Sequence, residues 1–529
     1  MLRHLWKCVA AVKSMSEVEL KFLIPPAARA KVAVEMARRS STLQRTSLAA
    51  MYLDTDDRRL ARAGMAWRLR REGRHWVQTL KAGSTNSLVR FEHEVVRPDA
   101  SHDASEHSGS PVGDELVALL RRARKDGAEL GVRFQTEVRR TTRRVRIRGA
   151  VVEIAFDEGR LLAAESTQRI LEIEFELVSG STVAMLALAE RWRGRFGLIY
   201  DPRSKAERGD RLAEGSPFPP LRKACRPSYP SDATVTEAFG TVLDECLGQT
   251  MRNAVGLSEG DPALRVEHVH QLRVGIRRLR SALRSFQGWA PSPPAELVEG
   301  LGSVFAKLGL ARESDVLDTG VVAELASVGA PPLKLKSAVT SVNPVEAVRA
   351  ADTQHTFLAW IAWRASLAES ADVVQLEAEA DAIRGEQAES EADRPDGVDT
   401  TRFPPNAERR LRRWHRRITS DSDRFQELDE ASLHALRKRI KRQRYAVEFF
   451  APVLRRRKVD RYLSALTTIQ DRMGELNDLF VARAKYEVLV VSDPAAWFAL
   501  GWLAARIASV RALAAPELEQ LAKSNTPGI

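Results

Sequence analysis

Cysteine is almost absent. Cys8, Cys225 and Cys246 are the three in 529 residues, too scattered for a disulfide framework or a metal-ligand spacing. A reducing compartment follows, so a cytoplasmic location is expected. Long apolar runs are lacking too. The longest, AAWFALGWLAA at 495–505, is shorter than the roughly 20 residues a bilayer requires. Arg506 and Arg511 follow it at once, so it reads as a buried helix and no membrane partner is expected. The opening MLRHLWKCVAAVKS is interrupted by Lys7 and lacks a small-residue cleavage site, which argues against a secretory signal. Met15 is the expected start, with 1–14 an extension left untranslated.

Positive charge, in contrast, is abundant. Lys and Arg number 82 against 70 Asp and Glu, for a net charge of +12. Such an excess predicts an anionic partner: nucleic acid, an anionic membrane or polyphosphate. The length predicts two or three domains, and 44% hydrophobic residues can fill their cores. Residues 15–212 carry short alternating segments: VELKFLI, MAWRLRR, HWVQTLKA, RFEHEVV, RRVRIRG, VVEIAFDEG and ILEIEFELV. They predict an antiparallel barrel or sandwich with intervening helices. The polar stretch PDASHDASEHSGSPVG reads as a loop between two of them. Residues 213–232 hold five prolines and read as a linker. From 233 to 525 helical periodicity dominates, broken by the acidic GEQAESEADRPDGVDT, which is expected to be disordered.

The helical half repeats itself. HQLRVGIRRLRSALRSF from His270 aligns without a gap on HALRKRIKRQRYAVEFF from His434. LGLARESDVLD and MGELNDLFVAR follow at almost the same spacing. Two pseudo-symmetric helical bundles are therefore expected, about 233–385 and 401–525. With His270 at zero on a helical wheel, Arg273, Arg277, Arg280 and Arg284 fall at about 300°, 340°, 280° and 320°. The apolar Leu272, Ile276, Leu279, Leu283 and Phe286 occupy a separate stripe. His434, Arg437, Lys441 and Arg444 repeat the pattern, and Glu448 breaks it where the first copy has Arg284. A solvated face is the ordinary reading of one basic helix. Cations stacked at i+3 and i+4 repel, however, and here they do so twice with few carboxylates nearby. An anion would offset that. Single-strand nucleic-acid binders interleave aromatics with their cations. These stripes have none, which disfavours nucleic acid and favours base-free phosphate chains.

The stretch SEVELKFLI places Glu17, Glu19 and Lys21 on one face of a strand and Val18, Leu20 and Phe22 on the other. A half-buried surface strand would explain it alone. Other strands do the same: Arg68 with Arg70, Thr79 with Lys81, Arg90 with Glu92 and Glu94, Glu153 with Asp157, and Glu172 with Glu174 and Glu176. Together they predict a barrel that is apolar outside and charged inside. Paired carboxylates suit a hard cation, and a neighbouring lysine suits the anion it carries.

These residues resemble two families. Residues 15–212 resemble the CYTH domain of the triphosphate tunnel metalloenzymes, through Glu17-x-Glu19-x-Lys21, YLDTDDRRLARAGMAWRLR, TLKAG, IAFDEG, ILEIEFEL and DPRSKAERG. Residues 233 to about 520 resemble the CHAD domain, through the two repeat helices, LGLARESDV and IQDRMGELNDLF. The resemblance implies a multidomain α+β chain, an antiparallel barrel tunnel followed by an all-α domain. It implies a metal-dependent inorganic triphosphatase. Lys21, Arg68, Arg70, Lys81, Arg140 and Lys205 would hold triphosphate, and Glu17, Glu19, Glu172 and Glu174 would hold Mg²⁺ or Mn²⁺. Glu17, Glu19, Lys21 and Lys81 would be the catalytic group. The helical domain would bind polyphosphate through His270, Arg273, Arg277, Arg280, Arg284, His434, Arg437, Lys441 and Arg444. CYTH relatives also include thiamine triphosphatases and adenylate cyclases. Either of these, or a non-catalytic polyphosphate binder, is the alternative.

Overall fold

A computed structural model describes residues 16–38, 41–83, 88–319, 321–331, 342–384 and 403–528. The expected start at Met15, the 1–14 extension and the acidic break at 385–400 lie outside the described residues. The chain divides into two compact units. The first takes residues up to Pro220 with Glu259–Asp261 and Gln354–Glu369, and the second takes the remainder.

The first unit is an antiparallel barrel. Its strands are β1 (Ser16–Leu23), β2 (Gln44–Thr55), β3 (Met65–Glu72), β4 (His75–Gly83), β5 (Val89–Arg97), β6 (Leu130–Ile147), β7 (Ala150–Ala163) and β8 (Ser166–Gly180). They pair in the order β5-β4-β3-β2-β6-β7-β8-β1, and β1 also pairs with β5, which closes the ring. A short β9 (Ile199–Tyr200) pairs with β1 at Phe22 and Leu23. The alternation read in β1 is realised. Leu20 and Phe22 are buried, and Phe22 meets the edges of Phe175 and Tyr200 at 5.9 and 6.1 Å. Helices cover the outer apolar face. Among them α1 (Arg29–Ala37) precedes α2 (Arg59–Arg62) and α3 (Pro111–Lys125), which pack Leu60, Leu116 and Leu119 on Leu53, Met65, Trp67 and Leu80. Then α4 (Thr182–Phe196) sets Trp192 against Phe175 at 5.9 Å.

The interior departs from the uniformly charged lining expected. Ala50 and Tyr52 pair across the β2–β3 ladder with Arg70 and Arg68, so they share the inner face. They join Phe134, Val138, Leu161 and Ile170 in an apolar cluster closed by Leu212 of α5 (Lys205–Ala213). Gly209 lies so near Phe134 that a Cβ there would stand 2.1 Å from the ring. One part of the barrel is thus filled by packing. Charged groups in that closed part would lose solvation without gaining partners.

The second unit contains α6 (Val235–Glu259), α7 (Arg265–Ser285), α8 (Ala295–Thr319), α9 (Val321–Ser327), α10 (Pro344–Arg349) and part of α11 (Ala351–Arg384). It continues with α12 (Phe403–Thr419), α13 (Glu430–Phe450), α14 (Arg456–Leu489) and α15 (Ala496–Lys523). The repeat is visible in the packing. Phe286 and Phe450, equivalent in the two copies, meet edge to face at 5.3 Å beside Phe403. The proline-rich stretch has no regular structure, yet Arg222 pairs with Glu245 and the Tyr229 hydroxyl donates to the Phe449 carbonyl at 2.6 Å. The run at 495–505 belongs to the longer α15. That helix is not fully buried, as its sequence suggested: it buries Ala496, Ala499 and Leu503 but leaves Trp497 66% and Phe498 45% exposed.

Candidate active site in the barrel and a cationic cluster in the helical unit

Register brings the acidic residues together. Pairing of β7 with β8 sets Asp157 beside Glu172 and Ala155 beside Glu174, and β1 sets Lys21 beside Glu174. Carboxylate oxygens of Asp157, Glu172 and Glu174 all lie within 4.8 Å of one another. Lys205, at the start of α5, reaches all three, with Nζ 2.7 Å from Asp157, 2.5 Å from Glu172 and 2.7 Å from Glu174. Arg140 grips Asp157 with Nε at 2.8 and Nη2 at 2.7 Å, and Nη2 stands 2.5 Å from Glu174. Its neighbours point elsewhere. Arg143 lies 5.3 Å from the Trp192 ring centre and Arg144 pairs with Glu153.

A second group faces the same interior from β1 and β3–β5. Lys81 Nζ is 2.6 Å from Glu17 and 3.2 Å from Glu92. Arg70 lies 3.3 Å from Glu94, Arg68 lies 3.9 Å from both Glu92 and Glu94, and Arg68 donates to the Tyr52 hydroxyl at 3.4 Å. Lys21 is 4% exposed and its carbonyl accepts from Asp201. Glu19 stands opposite Glu176 in the ladder.

Burial raises the Glu19 carboxyl, and Glu174 and Glu17 push it further up. Burial would do the same to Glu174 and Asp157. Lys205 and Arg140 outweigh it and hold both below the ordinary carboxylate range. The matching effect keeps Lys205 charged despite its burial, through Asp157, Glu172 and Glu174.

Three clustered carboxylates are hard oxygen donors of the kind Mg²⁺ and Mn²⁺ take. Glu172 is fully buried, and its Oε1 has no aligned hydrogen bond although Lys205 is close. The donor set therefore fits a divalent cation. It differs from the four glutamates singled out in sequence by including Asp157, while Glu17 is engaged by Lys81. Sequence reasoning gave Asp157 no ligand role. Its signal was its placement on the inner face of β7, two pleats from Glu153. Arg208 was also missed. It sits one helical turn after Lys205, pairs with Glu172 at 2.7 Å and donates to the Arg169 carbonyl.

In the helical unit the cations of the two copies converge. Burial, Arg437 and Arg277, with Arg444 beyond, lower the Lys441 ammonium to about 7, and Asp478 opposes them only in part. Arg273 donates to the Phe305 carbonyl at 2.8 Å and lies 4.0 Å from that ring's centre. A Cβ at Gly309 would stand 2.8 Å from the Arg273 Nη1. Gly474, its counterpart, has open space. Arg444 is engaged by Gln470 and Glu448. His434 is exposed and contacts Asn477 at 3.2 Å, His270 is half-buried, and Arg280 and Arg284 are exposed.

Comparison with known proteins fits both halves. The CYTH domain family model matches residues 15–209 and the CHAD domain family model matches residues 241–487. The chain is therefore a fusion of a CYTH domain, a metalloenzyme family, with a CHAD domain. An inorganic triphosphatase of Haemophilus influenzae is 30% identical over 200 residues, 37% of this chain and 54% of that protein. The chain thus matches about half the length of this curated relative. The CHAD domain structure of Ricinus communis is 28% identical with a TM-score of 0.43, covering 58% of this chain and 98% of that one. A Hippeastrum adenylyl cyclase candidate, described as revealing a dominant triphosphatase activity, is 20% identical with a TM-score of 0.26, covering 38% and 96%.

Proposed function

We propose that the barrel hydrolyses inorganic triphosphate to pyrophosphate and phosphate with Mg²⁺ or Mn²⁺, and that the helical unit binds inorganic polyphosphate. The observation that carries this reading is the Asp157–Glu172–Glu174 cluster facing buried cations inside one barrel. Phosphoryl transfer depends on positioning and on neutralising the phosphate oxygens more than on covalent chemistry. Arg68, Arg70 and Arg140 offer planar forks to paired oxygens, and Lys21, Lys81 and Lys205 offer point charges. Asp157, Glu172 and Glu174, with Glu17 and Glu19, would hold the divalent ion, which when bound supplies Lewis acidity toward phosphate oxygens. Water attacks the terminal phosphorus, forming one P–O bond as the bridging bond breaks and pyrophosphate leaves. The Glu17–Glu19 pair takes the water's proton.

The test is phosphate release with Mg²⁺ or Mn²⁺ from tripolyphosphate, ATP, thiamine triphosphate and long-chain polyphosphate. Fast release from tripolyphosphate alone, abolished by chelation and by Glu19→Ala while polyphosphate binding persists, is the expected result. Preference for ATP or thiamine triphosphate would move the assignment to an organic substrate. No release from any, with tight polyphosphate binding, would make the chain a binding protein.

A further inference from the structure

The two repeat helices break their own symmetry at one place. Alignment of His270 with His434 makes Arg278 equivalent to Arg442, and Arg284 equivalent to Glu448. In the structure Glu448 lies 3.9 Å from the buried Arg278. Arg278 is held further by Glu245, by the Gln249 side chain at 2.9 Å and by the Cys225 carbonyl at 2.7 Å. The symmetry-equivalent encounter is Arg284 with Arg442. There the attraction becomes a repulsion. Burial lowers Arg442, and the charges of Arg284, Arg417 and Arg439 lower it further. Arg439 is paired with Asp421. Among the described residues no ion pair joins a carboxylate to Arg284, Arg417 or Arg442.

The surroundings hold these cations in place. Arg410 of α12 donates to the Ser285 carbonyl at 2.6 Å and the Gln287 carbonyl at 2.8 Å, and lies 3.5 Å from the Trp289 ring centre. This pins α12 against the end of α7, next to Arg284. The Arg442 guanidinium stands 5.6 Å from the ring centre of Trp414, also on α12. Arg442 is half-buried while Arg284 and Arg417 are exposed, so the group opens to solvent with its inner cation partly desolvated.

We propose that Arg284, Arg417 and Arg442 form a second anion site, where α7, α12 and α13 meet, that takes the oxygens of a phosphate chain. It is separate from the cation cluster of Lys441, Arg277 and Arg437. Guanidinium forks match phosphate oxygens in pairs, and an oxyanion between them removes the repulsion left by the broken symmetry. The proposal rests on the reading of the helical unit as a polyphosphate binder.

Arg284→Glu rebuilds in this copy the pair that Glu448 makes in the other, so folding is expected to survive it. Arg442→Gln is the second variant. Titration calorimetry on the full chain, without added divalent metal, would use long-chain polyphosphate and inorganic phosphate as separate probes. The expected result is a melting temperature for unliganded Arg284→Glu that holds or rises, with affinity for long-chain polyphosphate at least about tenfold weaker in both variants. The salt dependence of binding should become shallower, as it does when cation contacts to a polyanion are lost. Loss for the long chain alone identifies a site for the phosphates of a chain, and a parallel loss for inorganic phosphate identifies a free-phosphate site. Wild-type binding with both variants unchanged in affinity and salt dependence overturns the second site only. A wild-type protein that binds no polyphosphate overturns the parent reading and this one together.

Discussion

Gln78 decides which proton His107 carries. The Gln78 side-chain oxygen accepts from the Asp103 N–H at 2.8 Å, and its Nε2 donates to the Asp103 carbonyl at 2.7 Å, which fixes the amide's orientation. Nε2 also faces His107 Nε2 at 3.1 Å, so that ring nitrogen accepts. His107 Nδ1 then bears the hydrogen and donates to His93 Nδ1 at 2.9 Å. No face is left for a second proton. Burial, then His93 and Arg97, hold His107 down to about 4, against a weaker pull from Asp103. The unfolded histidine, near 6.5, binds a proton that the folded one refuses. Stability should therefore fall as pH drops from about 6.5 towards 4, by up to about 1.4 kcal/mol per pH unit, and level off below that. Denaturant melts of wild type and His107→Gln between pH 7 and 4 check this, with the variant expected to lose part of the slope. Equal slopes would remove His107 as the cause. None of this was legible in the sequence, where residues 98–113 read as a polar loop. Composition cannot show that one histidine of a loop is folded under. Asp157 escaped in a milder way: its inward face followed from alternation, but its closeness to Glu172 depends on the β7–β8 register.

At the scale of elements, period-2 alternation made seven of the barrel strands legible because they set an apolar face against a charged one, whereas β2 went unread, its inner Ala50 and Tyr52 belonging to the apolar cluster. The plug was not legible. The helix α5 is short and charged, and only the close approach of Gly209 to Phe134 shows that its inner side enters an apolar cluster. The helical repeat was legible as a duplication, since the apolar and basic stripes recur at the same spacing. The sequence could not show how unequal the copies are. Lys441 is half-buried among arginines, and its equivalent in the first copy is Arg277. Lys441 is thus a group whose charge varies near neutrality. Its value of about 7 lies below the ordinary lysine range, so it is neutral above that pH unless an anion restores the proton. Polyphosphate affinity should rise as pH falls from 9 to 6, by up to about tenfold per unit above pH 7. Binding at pH 8 should take up close to one proton, measurable by calorimetry in buffers of different ionisation enthalpy. Lys441→Gln should abolish that uptake, and a wild-type protein with no uptake would place the anion away from Lys441.

At the scale of the whole molecule, sequence order and compact units do not coincide. The composition change near the proline-rich stretch marks the place where the first unit gives way at Pro220, yet Gln354–Glu369 returns to that unit from the helical half. Nothing in an amphipathic segment says which surface it will cover, so this return was invisible. Its contacts are specific. The Gln354 side chain accepts from the Tyr200 N–H at 2.9 Å, and His355 meets Glu190 at 2.7 Å. The Glu369 carboxylate accepts from the Ser181 hydroxyl at 2.9 Å and from the Thr182 and Val183 N–H groups at 2.5 and 3.2 Å. Those amides open α4, which Ser181 caps from within through the Ala184 N–H. A carboxylate at a helix N-terminus satisfies donors that have no partner inside the helix and meets the positive end of its dipole. Removing it by Glu369→Ala should cost about 1 kcal/mol. The loss should fall on α4 and hence on the outer face of β8, where Trp192 packs on Phe175. Hydrogen exchange followed by mass spectrometry is the direct readout. Peptides covering 181–196 should exchange faster in Glu369→Ala while those of α13 and α14 keep their protection. A uniform change across both units, or none in α4, would mean that Glu369 does not hold that helix.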